Sequence, residues 1–416
     1  MQREHGTTAR YSGRLDSVAA APSETPAKLA RPWLIALATW GCAHPGASHA
    51  VAPAAGEPGV VAVERTIVTP GEAVGIGELF ERAVAALKAG EYERAGVGFD
   101  RVFELDPRGG YAARAALLAG EAYDEVGDLE AAVARYESAA RAGGKSAVSA
   151  TALVRAVRIH VHRERWERAA ALADVLLEDA SSLQPFELIV AHGAKALHLA
   201  DRGERDAANY YITKGRDVIE MNRLDAAGRV PRDLAALYYA LGEVERLEAE
   251  RVLFVPLPEN FAAALERRCQ AILDAQSAYS DAMRAYDAHW SAMAGYRVGE
   301  LYERLHDELM RIEPPASART DAERQLFEGA MRVRYAILLR KARTMMEHTL
   351  ELAERTGEKS GWIERTRDSA ARLERAMLAE ERALARLPYS RDELERAFED
   401  LRARAEAKRS AESSAQ

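Results

Sequence analysis

A short turn signature recurs along this 416-residue chain at a nearly fixed interval, and such an interval forces a repeating architecture. Gly90-Glu91-Tyr92-Glu93-Arg94-Ala95 is followed by Gly127-Asp128-Leu129-Glu130-Ala131-Ala132, by Glu164-Arg165-Trp166-Glu167-Arg168-Ala169 and by Gly203-Glu204-Arg205-Asp206-Ala207-Ala208. The intervals are 37, 37 and 39 residues. Each contains two stretches with apolar residues three and four apart, the period of an amphipathic helix. A single helical hairpin cannot bury its apolar side alone, so successive hairpins must stack. The spacing therefore predicts an all-α solenoid of helix-turn-helix units over residues 76–222.

The residues inside these units resemble the tetratricopeptide repeat. The second unit carries Gly120, Tyr123, Gly127, Ala132, Tyr136 and Ala139 at that family's spacing, and the first carries Gly90, Ala95, Phe99 and a closing Pro107. Small residues let the two helices of a unit approach, and the aromatic fills the gap between hairpins. Gly120-Glu121-Ala122-Tyr123 is echoed by Gly299-Glu300-Leu301-Tyr302 and more weakly by Gly242-Glu243-Val244-Glu245. Val157 and His160 stand where Gly and Tyr are usual in the third unit. The intervals exceed the family's usual period of about 34, so lengthened turns between units are expected.

The resemblance implies a right-handed superhelix in which the first helix of every unit lines a concave groove that binds another protein or a peptide segment. Carrying the register of the second unit forward gives groove candidates Arg114, Leu117, Glu121, Asp124 and Glu125, then Val154, Arg158 and His162. Their mixed Arg and Glu character suits a charged polypeptide partner. The Lys/Asn/Arg set with which some family members clamp a terminal carboxylate is not recognisable.

Beyond the repeats, residues 223–312 read as degenerate repeats and long helices. A four-three alternation through Leu265, Cys269, Ile272, Gln276, Tyr279, Met283, Tyr286, Trp290 and Met293 makes either one long seam or a helix broken at Asp287, a residue suited to cap a new start. After Pro314-Pro315, the wide apolar face from Leu326 to Leu352 predicts a helix packed on two sides. Residues 313–408 read as a helical capping region ending in a charged, solvent-facing helix from Arg391 to about Ala407, and 409–416 as a disordered tail.

The front of the chain is compositionally separate: seven of its 15 prolines precede residue 71. Arg31 precedes an apolar run, Trp33 to Trp40, followed by small residues and proline, the order of an export signal. Residues 1–50 are read as that leader, or as a disordered one, and 51–75 as a linker. Two cleavage sites compete: Thr39-Trp40-Gly41-Cys42, a degenerate lipobox that makes Cys42 a lipidation candidate, and Ser48-His49-Ala50. The long flank before the run, with Glu4, Asp16 and Glu24, also fits a true start downstream of Met1. Cleavage before Cys42 removes a net +2 and takes the formal charge from −8 to −10. Cys269 is then the one ordinary thiol, which excludes an intramolecular disulfide. Thr69-Pro70-Gly71-Glu72 has the order of a helix start.

Chemistry is sparse. An acidic balance, 57 Lys+Arg against 65 Asp+Glu, disfavours nucleic acid, and no apolar run reaches the ~18 residues a spanning helix needs. Gly143-Gly144-Lys145-Ser146 resembles the end of a phosphate loop, but Ala139 replaces the required first glycine, so a turn between units is expected. Glu303 and His306 form half of a di-iron motif without a second half, hence a surface pair. His160 and His162 point apart on a helix, giving one packed and one groove-facing histidine, and Cys269 reads as a core thiol. No catalytic residue, cofactor or metal is expected. These readings lead to a non-catalytic protein-interaction scaffold in the bacterial cell envelope, an outer-membrane lipoprotein or periplasmic protein that touches a membrane only through its anchor. The alternative is a cytoplasmic repeat regulator or sensor that dimerises through its C-terminal helices.

Overall fold

The computed structural model describes residues 75–224, 231–316, 318–400 and 403, so the expectations for the leader, Cys42, the linker, the Thr69-Pro70 helix start and the tail lie outside it. All described regular structure is helical. Six hairpins follow one another: α1 (Ile76–Lys88) with α2 (Tyr92–Leu105), α3 (Ala112–Val126) with α4 (Leu129–Gly143), α5 (Ala147–His162) with α6 (Trp166–Leu177), α7 (Pro185–Asp201) with α8 (Arg205–Asn222), α9 (Ala235–Glu250) with α10 (Phe261–Met283), and α11 (Ala288–Met310) with α12 (Asp321–Thr356). They are followed by α13 (Gly361–Ala385) and by α14 over 391–400.

The recurring turn has a single backbone cause. Gly90, Gly127 and Gly203 sit at φ 76°, 86° and 75°, left-handed conformations that reverse the chain after one helix and that glycine adopts without steric penalty. The third unit makes the same turn with Glu164 at φ 56°, a cost that glycine avoids at the other three. Asp128 and Ser146 then cap α4 and α5 by accepting backbone N–H bonds from Ala131 and Ser149. Gly143-Gly144-Lys145-Ser146 is thus an inter-unit turn.

Packing inside a hairpin follows the same rule in distant units. A β-carbon on Gly120 would stand 2.5 Å from the Tyr136 ring, one on Gly242 2.6 Å from Tyr279, and one on Gly299 2.5 Å from Met346. In each case glycine on the first helix admits a bulky side chain from the second, so the echoes at 242 and 299 mark the same helix-to-helix contact. The first helices α3, α5, α7, α9, α11 and α13 also touch in sequence, each against the next, and form one inner layer. A continuous core runs between this layer and the second helices from Ala116 to Leu373, with a satellite core of Phe80, Phe99 and Val102 under the first hairpin.

The seam from Leu265 to Met293 is broken, not continuous: α10 ends at Met283, and the Asp287 carboxylate accepts the Trp290 N–H to start α11. Helix α12 packs on both α11 and α13, in keeping with its wide apolar face. Helix α14 is not simply solvent-facing. Leu394 and Ala397 are buried, and Leu394 fills the space left by Gly329 on α12.

Candidate functional site

The inner layer of first helices is the surface to search, because its members follow one another in contact and the family resemblance places the binding groove on them. Its two ends differ.

At the N-terminal end the layer is open among the described residues. Arg114 is exposed and lies over the Phe80 ring at 5.5 Å, beside Tyr111, whose ring is 4.9 Å from Phe80 and 43% exposed. Glu125 is exposed, one turn from Glu121, which pairs with Arg155 of the next unit at 3.0 Å. Asp124 accepts the Tyr136 hydroxyl at 3.4 Å and so faces inward. Leu117 and Val154 are corrections to the groove set: both are buried, 9% and 3% exposed. Both stand three residues before the position held by Gly120 in the second unit and by Val157 in the third, on a buried side of the helix.

Toward the C-terminus the groove positions are engaged by later segments of the same chain, although Arg158 and Glu164 stay exposed. Arg158 makes a bidentate pair with Asp233, both bonds 2.8 Å, in the turn before α9. The His162 ring packs at a tilt against that of His289 at the start of α11, with ring centroids 4.3 Å apart. Glu164 accepts the Trp362 indole N–H of α13 at 2.6 Å. His160 is packed, as expected, with Nε2 3.2 Å from Glu137. His162, expected to face the groove, is half-buried beneath α11.

Behind these contacts lies a cavity of about 210 Å³ lined by Glu164, Trp166, Leu197, Asp201, Tyr239, Glu243, Arg297, Trp362 and Arg365. Trp362 carries a guanidinium over its ring from Arg365 at 4.5 Å and another from Arg297 at 5.4 Å. Arg297 is itself bound, to Glu243 at 2.9 Å, Glu300 at 2.7 Å and the Tyr239 hydroxyl at 3.3 Å. Glu243 also accepts from Tyr279 at 2.8 Å and from Arg246. Burial alone would push the Glu243 carboxyl up, but Arg297, Arg246 and the Tyr279 hydrogen bond outweigh it and hold the group below its ordinary range. The network is charged but internally satisfied.

Four of the cavity residues follow from the same register. Offsets of −3 and +1 from Gly242 give Tyr239 and Glu243, and the turn-to-turn distance from Gly127 to Gly203 carries Glu121 and Glu125 onto Leu197 and Asp201. The closing residues Trp362 and Arg365 have no such signal, since their contact joins positions 198 residues apart.

The remaining chemical candidates dissolve into packing. Glu303 and His306 are not a surface pair: His306 is 3% exposed, and Glu303 is covered by Ser369 and Arg372 of α13. Cys269 is half-buried, and burial pushes its thiol up to about 11 despite Arg268 and Lys341 nearby, so it is a poor nucleophile. Among the described residues no group of three or more His, Cys, Asp or Glu is placed to hold a metal ion, and no helix is long and apolar enough to cross a membrane.

Comparison with known families matches residues 71–186 to the tetratricopeptide repeat-like domain. The matched segment spans α1 to α6 and stops as α7 begins. No curated protein sequence matches the chain.

Proposed function

Starting from a tetratricopeptide repeat-like domain over residues 71–186, we propose that this protein is a non-catalytic scaffold whose open N-terminal groove holds a charged segment of another protein. The observation that carries this reading is the contrast along the inner layer. Arg114 and Glu125 are exposed around α3 with no ion-pair partner on a later unit among the described residues, whereas in the next unit Arg158, itself exposed, is paired with Asp233, His162 packs on His289 and Glu164 bonds Trp362 of the same chain. A partner seated on Arg114 and Glu125 meets both signs of charge, which sets orientation and discriminates between sequences. Charge reversal at these two positions, Arg114→Glu with Glu125→Arg, is expected to lower partner capture at least ~10-fold, the scale of one buried charged contact, while leaving helicity unchanged. Undiminished capture by a folded double variant contradicts this site.

The second half of the proposal is location. Arg31, the apolar run Trp33 to Trp40 and Gly41-Cys42 support export and attachment to the cell envelope through a lipidated Cys42. Labelling with radioactive palmitate should mark the native chain in the membrane fraction and leave Cys42→Ala unlabelled. A soluble cytoplasmic product in both forms overturns the envelope reading in favour of the cytoplasmic one. Dimerisation through the C-terminal helices has less support, because Met331, Leu339 and Met346 of α12 are already buried within the chain.

A further inference from the structure

Of the three contacts that close α5 and its following turn onto the C-terminal helices, the central one is built from two imidazoles. His162 ends α5 and His289 begins α11, and their rings lie 4.3 Å apart at 48°. His289 is 7% exposed. Its Nε2 and the Nδ1 of His162 are buried without hydrogen-bond partners among the described residues. The charged groups facing the pair come from every neighbouring element. Glu358, in the turn before α13, stands 3.6 Å from His289 Nδ1 and also accepts the Ser360 N–H. Asp287 caps α11 and is bound by Arg232 at 2.7 Å. One turn back on α5, Arg158 is engaged by Asp233.

This arrangement can hold one proton but not two. A single imidazolium finds Glu358 and Asp287 close by. Two imidazolium rings at this separation repel, and the N-terminal end of α11 adds its own positive field. Burial, followed by the His289 ring, holds the His162 imidazole below its ordinary range.

We propose that His162 and His289 form a proton-operated latch: neutral, they hold the α5–α6 turn against α11 and α13, and doubly protonated they release it. Release separates Glu164 from Trp362 and opens the cavity walled by Trp166, Tyr239 and Trp362. The turn is biased to move because Glu164, two residues past His162, sits at φ 56°, where a β-carbon is disfavoured. Acidification thereby uncovers an aromatic surface in units that are closed at neutral pH, independently of any partner in the N-terminal groove.

The test uses the full chain with Cys42→Ala and Cys269→Ser and spin labels at Glu167→Cys on α6 and Glu364→Cys on α13, both exposed positions. Pulsed electron paramagnetic resonance is expected to show a reversible shift of the distance distribution to longer separations between about pH 7.5 and about pH 5, with unchanged far-ultraviolet circular dichroism. His162→Phe with His289→Phe keeps two stacked rings that cannot protonate and should hold the short distance at both pH values. The single variant His162→Phe retains one imidazole and should also stay closed. Absence of a shift in the labelled parent, or an equal shift in either Phe variant, overturns the latch.

Discussion

Two junctions between units, α3–α4 to α5 and α9–α10 to α11, are built to one plan at different depths. Each has a glycine met by a tyrosine ring, Gly120 by Tyr136 and Gly242 by Tyr279. Each has a glutamate directly after the glycine, and that glutamate pairs with an arginine of the next first helix: Glu121 with Arg155 at 3.0 Å, Glu243 with Arg297 at 2.9 Å. The outer pair leaves its side chains 26% and 37% exposed, whereas Glu243 is 8% exposed and shares Arg297 and Arg246 with two tyrosines. The same residues thus form a mild surface link in one junction and a satisfied buried network in the other. Depth, not residue type, sets what the pair contributes: an exposed pair is worth about 0–1 kcal/mol, while removing one member of a buried pair costs about 3–5 kcal/mol. That depth arises because Trp362 and the α5–α6 turn lie over the second junction, and among the described residues nothing comparable lies over the first.

The largest effect should therefore come from Arg297→Met, which leaves Glu243 buried with Arg246 as its remaining cation; urea denaturation is expected to report a loss of about 3–5 kcal/mol. Adding Glu243→Gln should recover part of that loss, and a fully additive double variant would contradict the buried coupling. Next in size is the response to acid. Burial is the leading cause that lowers the imidazole pKa of His160, His162, His192 and His306, in the case of His192 to about 4. A lowered histidine means that the unfolded chain takes the proton first. Its stabilisation is complete above an ordinary value near 6.5 and declines as pH falls toward the folded value, which for His192 spans the window from 6.5 down to about 4. Glu243, held low, adds a further loss only below its ordinary 4.5. Urea midpoints measured from neutral pH downward should fall first through the histidine window, and a flat profile between 6.5 and 4.5 would exclude this origin.

Smaller still is the turn that closes the second region. In a Trp362→Phe background, where the indole bond is absent, Glu164→Gly should raise stability by about 1 kcal/mol by relieving the left-handed backbone. No gain there would mean that the turn is not strained. The smallest effect belongs to Arg155→Met at the outer junction, about 1 kcal/mol or less in the same denaturation assay, and a loss comparable to that of Arg297→Met would erase the distinction between the two.

Local features of this fold were legible in the sequence because they are written locally. The four turns, the Asp287 cap and the two-sided face of α12 each depend on residues within a few positions of one another. The echoes of Gly120 at Gly242 and Gly299 mark a recurring fit of glycine against a bulky side chain. What escaped depends on closure. Glu164 meets Trp362 across 198 residues, His306 and Glu303 are covered by later helices, and Arg158 and His162 are capped by segments that no helical period points to. Leu117 and Val154 differ for a smaller reason: a leucine or valine on a first helix fits a groove wall and a packed core equally well, and their burial decides for packing.

A groove open at α3 and closed from the end of α5 onward can be tested directly with a photocrosslinking amino acid placed in the intact cell at Arg114 or Glu125, and separately at Leu197 or Asp201. Partner adducts at 114 and 125, with none at 197 or 201 near neutral pH, are the expected result. Adducts at 197 and 201 without any at 114 and 125 would contradict an open N-terminal groove and a self-covered C-terminal one.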